Sequence, residues 1–421
     1  MSEKYYACID LKSFFASAEC AERGLDPFKT NLAVTDISRG NGAITLAITP
    51  AMKALGVKNR CRVFEIPRNI DYIAAKPRMK LYMKYSADIY SVYLRYISDE
   101  DIHIYSIDEV FIDFTPYLKT YGMTPKELAR RLMDEVYRET HITAAAGIGT
   151  NLFLAKIALD ITAKHVPDNI GFLDEDEFKR TIWHHRPITD IWQIGRRTAL
   201  RLEKYGIKDL HGVSCCDEKL LFREFGVNAR YLIDHANGRE SCTIADIKAY
   251  TPKSTSVSNG QILFSDYGYD DALTVLKEMT DSLVMELLER HMSTDSVSLY
   301  IGYSRDIVPP VSVTRRLEEY TNSYSVISAE FVKLYRENVR RDTPIRRLNI
   351  GFEHLSDEAD LLPQLSFFRD RSAEERERRQ QDAVLEIRSR YGKNAVLRGI
   401  SLQENATARI RNKLVGGHNG E

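Results

Sequence analysis

Ile104-Tyr105-Ser106-Ile107-Asp108-Glu109-Val110-Phe111-Ile112-Asp113 is an apolar, β-branched run with two adjacent carboxylates at its centre. It reads as strand, turn, strand across residues 102–114. Neighbouring side chains on a regular strand face opposite ways, so Asp108 and Glu109 converge only where the pleat breaks. A second run, Tyr6-Ala7-Cys8-Ile9-Asp10, reads as a short buried strand that also stops on a carboxylate. Clustered carboxylates withdrawn from water are costly unless cations neutralise them. Three such donors, with a backbone carbonyl such as that of Leu11, suit octahedral Mg²⁺. Two ions about 3.5–4 Å apart can activate a hydroxyl on one side and stabilise a leaving pyrophosphate on the other. On these residues alone, Asp108–Glu109 is equally well a solvated hairpin turn, and Asp10 a lone strand-end acid.

Outward from these two runs, a helix carries Phe14, Phe15 and Ala18, and strands are expected at residues 31–34 and 42–48, with a short helix at 50–56. A long helix is expected over 77–97. Thr124-Pro125-Lys126-Glu127 opens another with a cap, a first-turn proline and a capping-box glutamate. Residues 142–148 read as a buried strand and 151–164 as a helix. Short helices and glycines follow from Pro187 to about 240, then a Ser/Thr-rich stretch at 252–259 that reads as a linker. A further α+β unit spans 260–352, and a polar tail with one helix at 372–390 closes the chain.

The 421 residues carry 59 basic and 60 acidic side chains, a net charge of -1. That argues mildly against a small basic nucleic-acid module, yet a large enzyme can cancel a basic cleft against a carboxylate cluster. Hydrophobic residues at 43% and charged residues at 28% exclude wholesale disorder. Six cysteines without a CxxC spacing suit a reducing compartment, and no apolar run long enough to span a bilayer is present. The expectation is a cytoplasmic protein with no membrane partner.

Cys8-Ile9-Asp10-Leu11-Lys12-Ser13-Phe14-Phe15-Ala16-Ser17-Ala18-Glu19 and Tyr105-Ser106-Ile107-Asp108-Glu109 resemble the two metal motifs of the Y-family translesion DNA polymerases, and most closely the UmuC branch of Gram-positive bacteria and their mobile elements. The resemblance covers nearly the whole chain. It implies an α+β right-hand polymerase with a ferredoxin-like palm at 1–29 and 76–186 and fingers inserted at 30–75. A helix-hairpin-helix thumb follows at 187–245, a linker at 246–259, a little finger at 260–352 and a clamp-binding tail at 353–421.

The resemblance makes Asp10, Asp108 and Glu109 the catalytic metal ligands, with the Leu11 carbonyl, for two Mg²⁺ ions that Mn²⁺ can replace. Phe15 matches the steric gate against ribonucleotides and Phe14 the aromatic beside it; one of the pair should be ordinary helix core. Where the better-known DinB-like branch has Tyr and Arg near the incoming triphosphate, this chain has Pro50 and Lys53. Pro50 offers neither hydroxyl nor N–H, and Lys53 keeps the charge without the bidentate fork. Lys164 matches the phosphate-binding lysine after the palm helix, one residue further from Lys156 than the family spacing. Lys156 itself could be a structural lysine whose stem packs on the palm.

Ile194-Gly195-Arg196-Arg197 resembles the hairpin of the thumb, where backbone N–H groups bind a DNA phosphate without reading sequence. Arg315, Arg316, Arg346 and Arg347 fall in the little finger and are expected on DNA, although the acids around them mean that some are plain surface charge. Gln364-Leu365-Ser366-Phe367-Phe368 resembles the peptide that docks on the β subunit of the bacterial sliding clamp. The implied partners are primed and damaged DNA, dNTPs, the clamp and SOS accessory proteins, at the nucleoid or replication fork. The implied reaction is low-fidelity translesion synthesis. A non-catalytic scaffold recruited to the clamp is the alternative if the altered fingers fail to hold a triphosphate, and a nucleotide cyclase is a weaker one.

Overall fold

The computed structural model describes residues 4–251, 255–304, 308–361 and 371–420. They fall into two compact units, one within 1–251 with 418–421 and one within 252–417. The first runs β1 (Tyr6–Leu11), α1 (Phe14–Glu22), β2 (Leu32–Val34), β3 (Ala47–Ile48), α2 (Pro50–Ala54), β4 (Ile73–Ala75), α3 (Met79–Leu94), β5 (Ile102–Ile104), β6 (Glu109–Asp113), α4 (Thr115–Tyr121), α5 (Pro125–Thr140), β7 (Ala144–Gly149), α6 (Leu152–Asp160) and β8 (Ile170–Leu173). Helices α7 (Glu175–Thr181), α8 (Arg196–Glu203), α9 (Leu210–Ser214), α10 (Glu218–Phe225), α11 (Ala229–Ala236) and α12 (Ile244–Ala249) follow.

The central sheet has the order β5-β6-β1-β7-β8, with β1 antiparallel to both neighbours. Strand alternation divides β1 between two cores. Ala7, Ile9 and Leu11 meet Phe14, Tyr82, Ile89, Leu128, Leu132 and Val136 of α1, α3 and α5. Tyr6 and Cys8 meet Phe111 and Leu152, Ala155 and Leu159 of α6. Helix α6 lies directly on β7. A Cβ at Gly147 would stand 2.1 Å from the Leu159 nitrogen, and one at Gly149 would stand 2.2 Å from the Ala155 nitrogen, so only glycine permits this approach. The α5 capping box forms as its sequence predicts: the Glu127 N–H donates to Thr124 Oγ1 and the Thr124 N–H to Glu127 Oε2. A separate small sheet of order β3-β2-β4 lies between α1 and α3 in the chain, within the stretch expected as fingers.

The second unit runs β9 (Ser256–Tyr267), α13 (Tyr269–Glu289), β10 (Met292–Tyr303), β11 (Val311–Thr321), α14 (Tyr324–Asn338), β12 (Ile345–Glu353), α15 (Arg371–Tyr391) and α16 (Ala408–Arg411). Its sheet order is β11-β10-β12-β9. Val297, Leu299 and Ile301 of β10 point into a core shared with α13 and α14. On other strands of the sheet, Ile262 and Phe264 of β9 and Tyr320 of β11 stay exposed.

Two sequence expectations change. The linker at 246–259 is shorter, because α12 reaches Ala249 and β9 starts at Ser256, where Val257 pairs with Phe352 of β12. The polar Ser/Thr composition hid a half-buried strand. The stretch 353–421 is also not a plain tail. Val384 and Leu385 of α15 pack on the second core, and Asp281 of α13 accepts Arg388 at 3.0 Å and also holds Arg398. Buried Glu278 accepts the N–H groups of Thr407 at 2.7 Å and Ala408 at 3.1 Å. Val384 and Leu385, with the Arg378–Glu358 pair before them and the Arg388–Asp281 pair after them, dock this charged helix.

Candidate active site

The register of β1 and β6 sets Asp10 opposite Glu109, and opposed residues share a face of the sheet. Cys8, two residues before Asp10, shows that this face is the one covered by α6. Asp108 lies in the turn before β6. There the N–H groups of Tyr105 and Ser106 both donate to the Glu109 carbonyl at 3.0 Å, and the Ser106 hydroxyl donates to Asp108 Oδ1 at 2.7 Å. The Leu11 N–H donates to the Asp108 carbonyl at 3.0 Å, tying that turn to the end of β1. The pleat thus breaks between the two adjacent acids.

Glu109 is buried, and its Oε1 meets Lys156 Nζ at 2.7 Å and the Cys8 thiol at 3.0 Å. Lys156 also reaches Asp160 Oδ1 at 3.0 Å. Burial alone would lower the Lys156 ammonium, but Cys8, Glu109 and Asp160 outweigh it and hold the lysine charged. Burial, then the charges of Asp108 and Glu109, push Asp10 up to about 7. Glu109 Oε1 is turned to Lys156 and Cys8. A divalent cation relieves what a proton on Asp10 otherwise relieves, so the donor set fits a hard ion.

Asp10 has a folded-state value above its unfolded one, so its contribution to stability is present at low pH and lost as pH rises through about 7. In chelator, Asp10→Asn is therefore expected to raise the melting temperature at pH 8, by on the order of 2 kcal/mol of stability, and to have little effect near pH 4. Thermal unfolding at the two pH values checks this; an equal shift at both would sink it.

Besides Lys156, two lysines, Lys12 and Lys53, feel the charge of Asp10. Burial lowers Lys53 of α2, with Asp10 opposing and Lys164 adding to the fall. Burial likewise lowers Lys12, with Asp10 opposing and Lys53 adding, and its amine hydrogen-bonds to Asn169 Oδ1. Lys12 escaped the sequence reading. The available signal was a cation two residues past Asp10, just beyond the strand. Pro50 is the first residue of α2, which it can open without an N–H.

Phe14 is core, only 2% exposed. Phe15 stacks on Tyr82 with ring centroids 4.7 Å apart, and the Tyr82 hydroxyl donates to Glu19 Oε1 at 2.7 Å. Burial would raise Glu19, but hydrogen bonds from Arg78, Tyr82 and Arg23 more than offset it and keep the carboxylate charged. Phe15 therefore rests on a ring that a buried, triply bonded acid holds still. Tyr82 lies far from Phe15 in the chain, and no spacing rule announces this support.

In the stretch expected as the thumb, Gly195 precedes α8 without a side-chain cap, and Arg196 and Arg197 are exposed at its first turn. Ile194 departs from expectation: its side chain is buried and its N–H donates to the Ile191 carbonyl at 3.0 Å, so it anchors the hairpin and offers no donor. Trp192 Nε1 donates to the Tyr105 hydroxyl at 3.1 Å, joining the hairpin to the acidic turn.

In the second unit, Arg315 must be corrected. With Val313 and Leu317 it points to the α14 side, where Glu330 at 2.7 Å and Glu337 at 2.5 Å hold it. Arg316 lies on the opposite side of the strand with an exposed side chain, 2.8 Å from Asp295. Arg346 is 3.7 Å from Asp266, and Arg347 lies over the Tyr300 ring at 5.5 Å. Residues 364–368 lie outside the described residues. Among the described residues no helix is long and apolar enough to cross a membrane.

The impB/mucB/samB family pattern matches residues 9–160, and the pattern of that family's C-terminal domain matches 254–367. UvrX of Bacillus subtilis (strain 168), named for UV-damage repair, is 30% identical over 99% of this chain and 97% of its own length. DNA polymerase IV 2 of the same organism is 29% identical over 99% of each chain. Among solved structures, a Y-family DNA polymerase chimera of Dbh and Dpo4 matches with a TM-score of 0.62 at 20% identity, over 84% of this chain and 99% of that one, which speaks for the fold. The two family patterns, the full-length relatives and the shared fold agree that the chain belongs to the Y family of DNA-directed DNA polymerases, on its UmuC-like side.

Proposed function

We propose that this polymerase extends primers past damaged template bases by nucleotidyl transfer at the Asp10–Asp108–Glu109 site. The observation that supports it most is the pairing of Asp10 with Glu109 across β1 and β6, with the Asp108 turn pinned to Leu11. Asp10, Asp108 and Glu109, with the Leu11 carbonyl, would hold the divalent ions, Mg²⁺ or Mn²⁺. When bound, these ions supply Lewis-acid activation of the primer hydroxyl and charge stabilisation at the departing pyrophosphate.

The chain's own residues do the rest. Lys156 orients Glu109 through their 2.7 Å ion pair. Lys12, Lys53 and Lys164 present point charges to a triphosphate in place of the Tyr and Arg of the DinB-like branch. Phe15 closes the space beneath the sugar. Arg196, Arg197 and the N–H groups opening α8 grip a DNA phosphate, and Arg316 and Arg347 do so in the little finger. Loosely held template pairs give low fidelity together with tolerance of distorted bases.

Primer extension on a template carrying a defined lesion tests the reading. Extension with dNTPs and Mg²⁺, abolished by chelator, supports it; DNA binding without extension would favour the scaffold. Gln364–Phe368 is proposed as the peptide that docks on the clamp. Replacing Leu365, Phe367 and Phe368 with Ala is expected to remove clamp-stimulated synthesis, on the order of 10-fold, while basal extension stays unchanged. A fall in both would place these side chains in the fold instead.

A further inference from the structure

Away from the polymerase site, the segment after α7 and the start of α9 bring two histidines and a buried acid together. His184, Asp209 and His211 are, among the described residues, the one group of three potential ligands whose donor atoms all lie within 4.8 Å of one another. Asp209 is 5% exposed, whereas His184 is exposed and His211 half-buried, so the group opens to solvent on its histidine side. Asp209 and His211 are held by the local fold, and exposed His184 stands against both. Asp209 caps α9 by accepting the Gly212 N–H at 2.9 Å. His211 sits edge-on to Trp183 with ring centroids 4.9 Å apart, and its Nε2 lies 3.5 Å from the Cys215 thiol one helical turn on. His184 Nδ1 is 3.7 Å from Asp209 Oδ2, and the two imidazole rings are 4.6 Å apart.

We propose that His184, Asp209 and His211 form a binding site for a borderline-soft divalent transition ion, Zn²⁺ by preference, with an open position to solvent. Two imidazoles and one carboxylate are the donor set such an ion favours over Mg²⁺, which takes oxygen ligands and keeps its water. The ring contact with Cys215 and the packing against Trp183 orient His211, as supporting partners do in metal centres. At present the acid is matched by Arg186, whose Nη2 lies 2.7 Å and Nε 3.2 Å from Asp209 Oδ2. That guanidinium is largely exposed, its side chain 61% accessible, and can leave for water. Binding thus exchanges one cation for another and joins the 183–186 segment to α9.

The Arg186 contact makes the proposal separable from a purely structural role. Full-length protein, stripped with chelator, is titrated with Co²⁺ alone, because a low-coordinate imidazole site gives a far stronger visible absorption than a six-coordinate carboxylate site. The intense band should saturate at one equivalent, be lost in the His184→Ala/His211→Ala variant and persist in Asp108→Ala. Zn²⁺ should displace it and raise the melting temperature by on the order of 2–4 °C. Arg186→Ala should bind Co²⁺ about 10-fold more tightly, since no cation then competes for Asp209. A weak band only, a band that survives the double variant, or weaker binding after Arg186→Ala would overturn the site. Circular dichroism of each variant separates loss of ligands from loss of fold.

Discussion

Asp108→Ala and Glu109→Ala are expected to reduce primer extension by at least about 10³-fold, equivalent to roughly 4 kcal/mol of transition-state stabilisation, while affinity for primed DNA changes little. Each carboxylate belongs to a set that acts as a unit, so either loss should approach the effect of both together. The two should differ in stability. Asp108 sits in a turn, where its removal relieves repulsion on Asp10. Removing Glu109 leaves the buried Lys156 with Asp160 alone, and a buried cation short of its partner is costly, by about 3 kcal/mol. Glu109→Ala should therefore melt lower than the parent and Asp108→Ala no lower. Single-turnover extension together with thermal melts checks both halves. A Glu109→Ala enzyme that extends normally would remove that residue from the site.

Phe15→Ala is expected to lower the preference for dNTP over rNTP by on the order of 10²-fold, roughly 2.7 kcal/mol of discrimination. The ring excludes a 2′-hydroxyl only if it cannot move aside. Its stacking on Tyr82, and the hold of Glu19 on the Tyr82 hydroxyl, supply that rigidity. Tyr82→Leu, which keeps Phe15 but removes its support, should lose part of the discrimination in the same direction. Phe14→Leu should cost stability in the core with the preference intact. Ratios of kcat/KM for a matched dNTP and rNTP are the readout. An unchanged ratio in Phe15→Ala would refute the gate.

Much of the proposed site's geometry was legible from sequence because its parts are local. Asp10 at a strand end and the Asp108–Glu109 pair inside an apolar run announce a broken pleat, and resemblance supplies the use proposed for them. The neighbours that tune the site were less visible, since they come from elements distant in the chain. Lys156 is 47 residues beyond Glu109 and reaches it because Gly147 and Gly149 let α6 lie flat on β7. No spacing rule announces that contact. Lys12 was missed because a lysine beyond a strand end is ordinary surface until α2 brings Lys53 near it. Pattern also failed where charge masks burial, as in α15, whose Val384 and Leu385 lie in a helix rich in Arg and Glu. Arg315 shows the reverse limit: strand alternation separates it from Arg316, but only the fold reveals that its side faces two glutamates.

The most direct measurement is anomalous diffraction from crystals of the protein with primed DNA, a non-hydrolysable dNTP analogue and Mn²⁺. Two manganese peaks should lie between the triphosphate and the side chains of Asp10, Asp108 and Glu109. A bound nucleotide with no manganese against Asp10 and Asp108 would contradict the account.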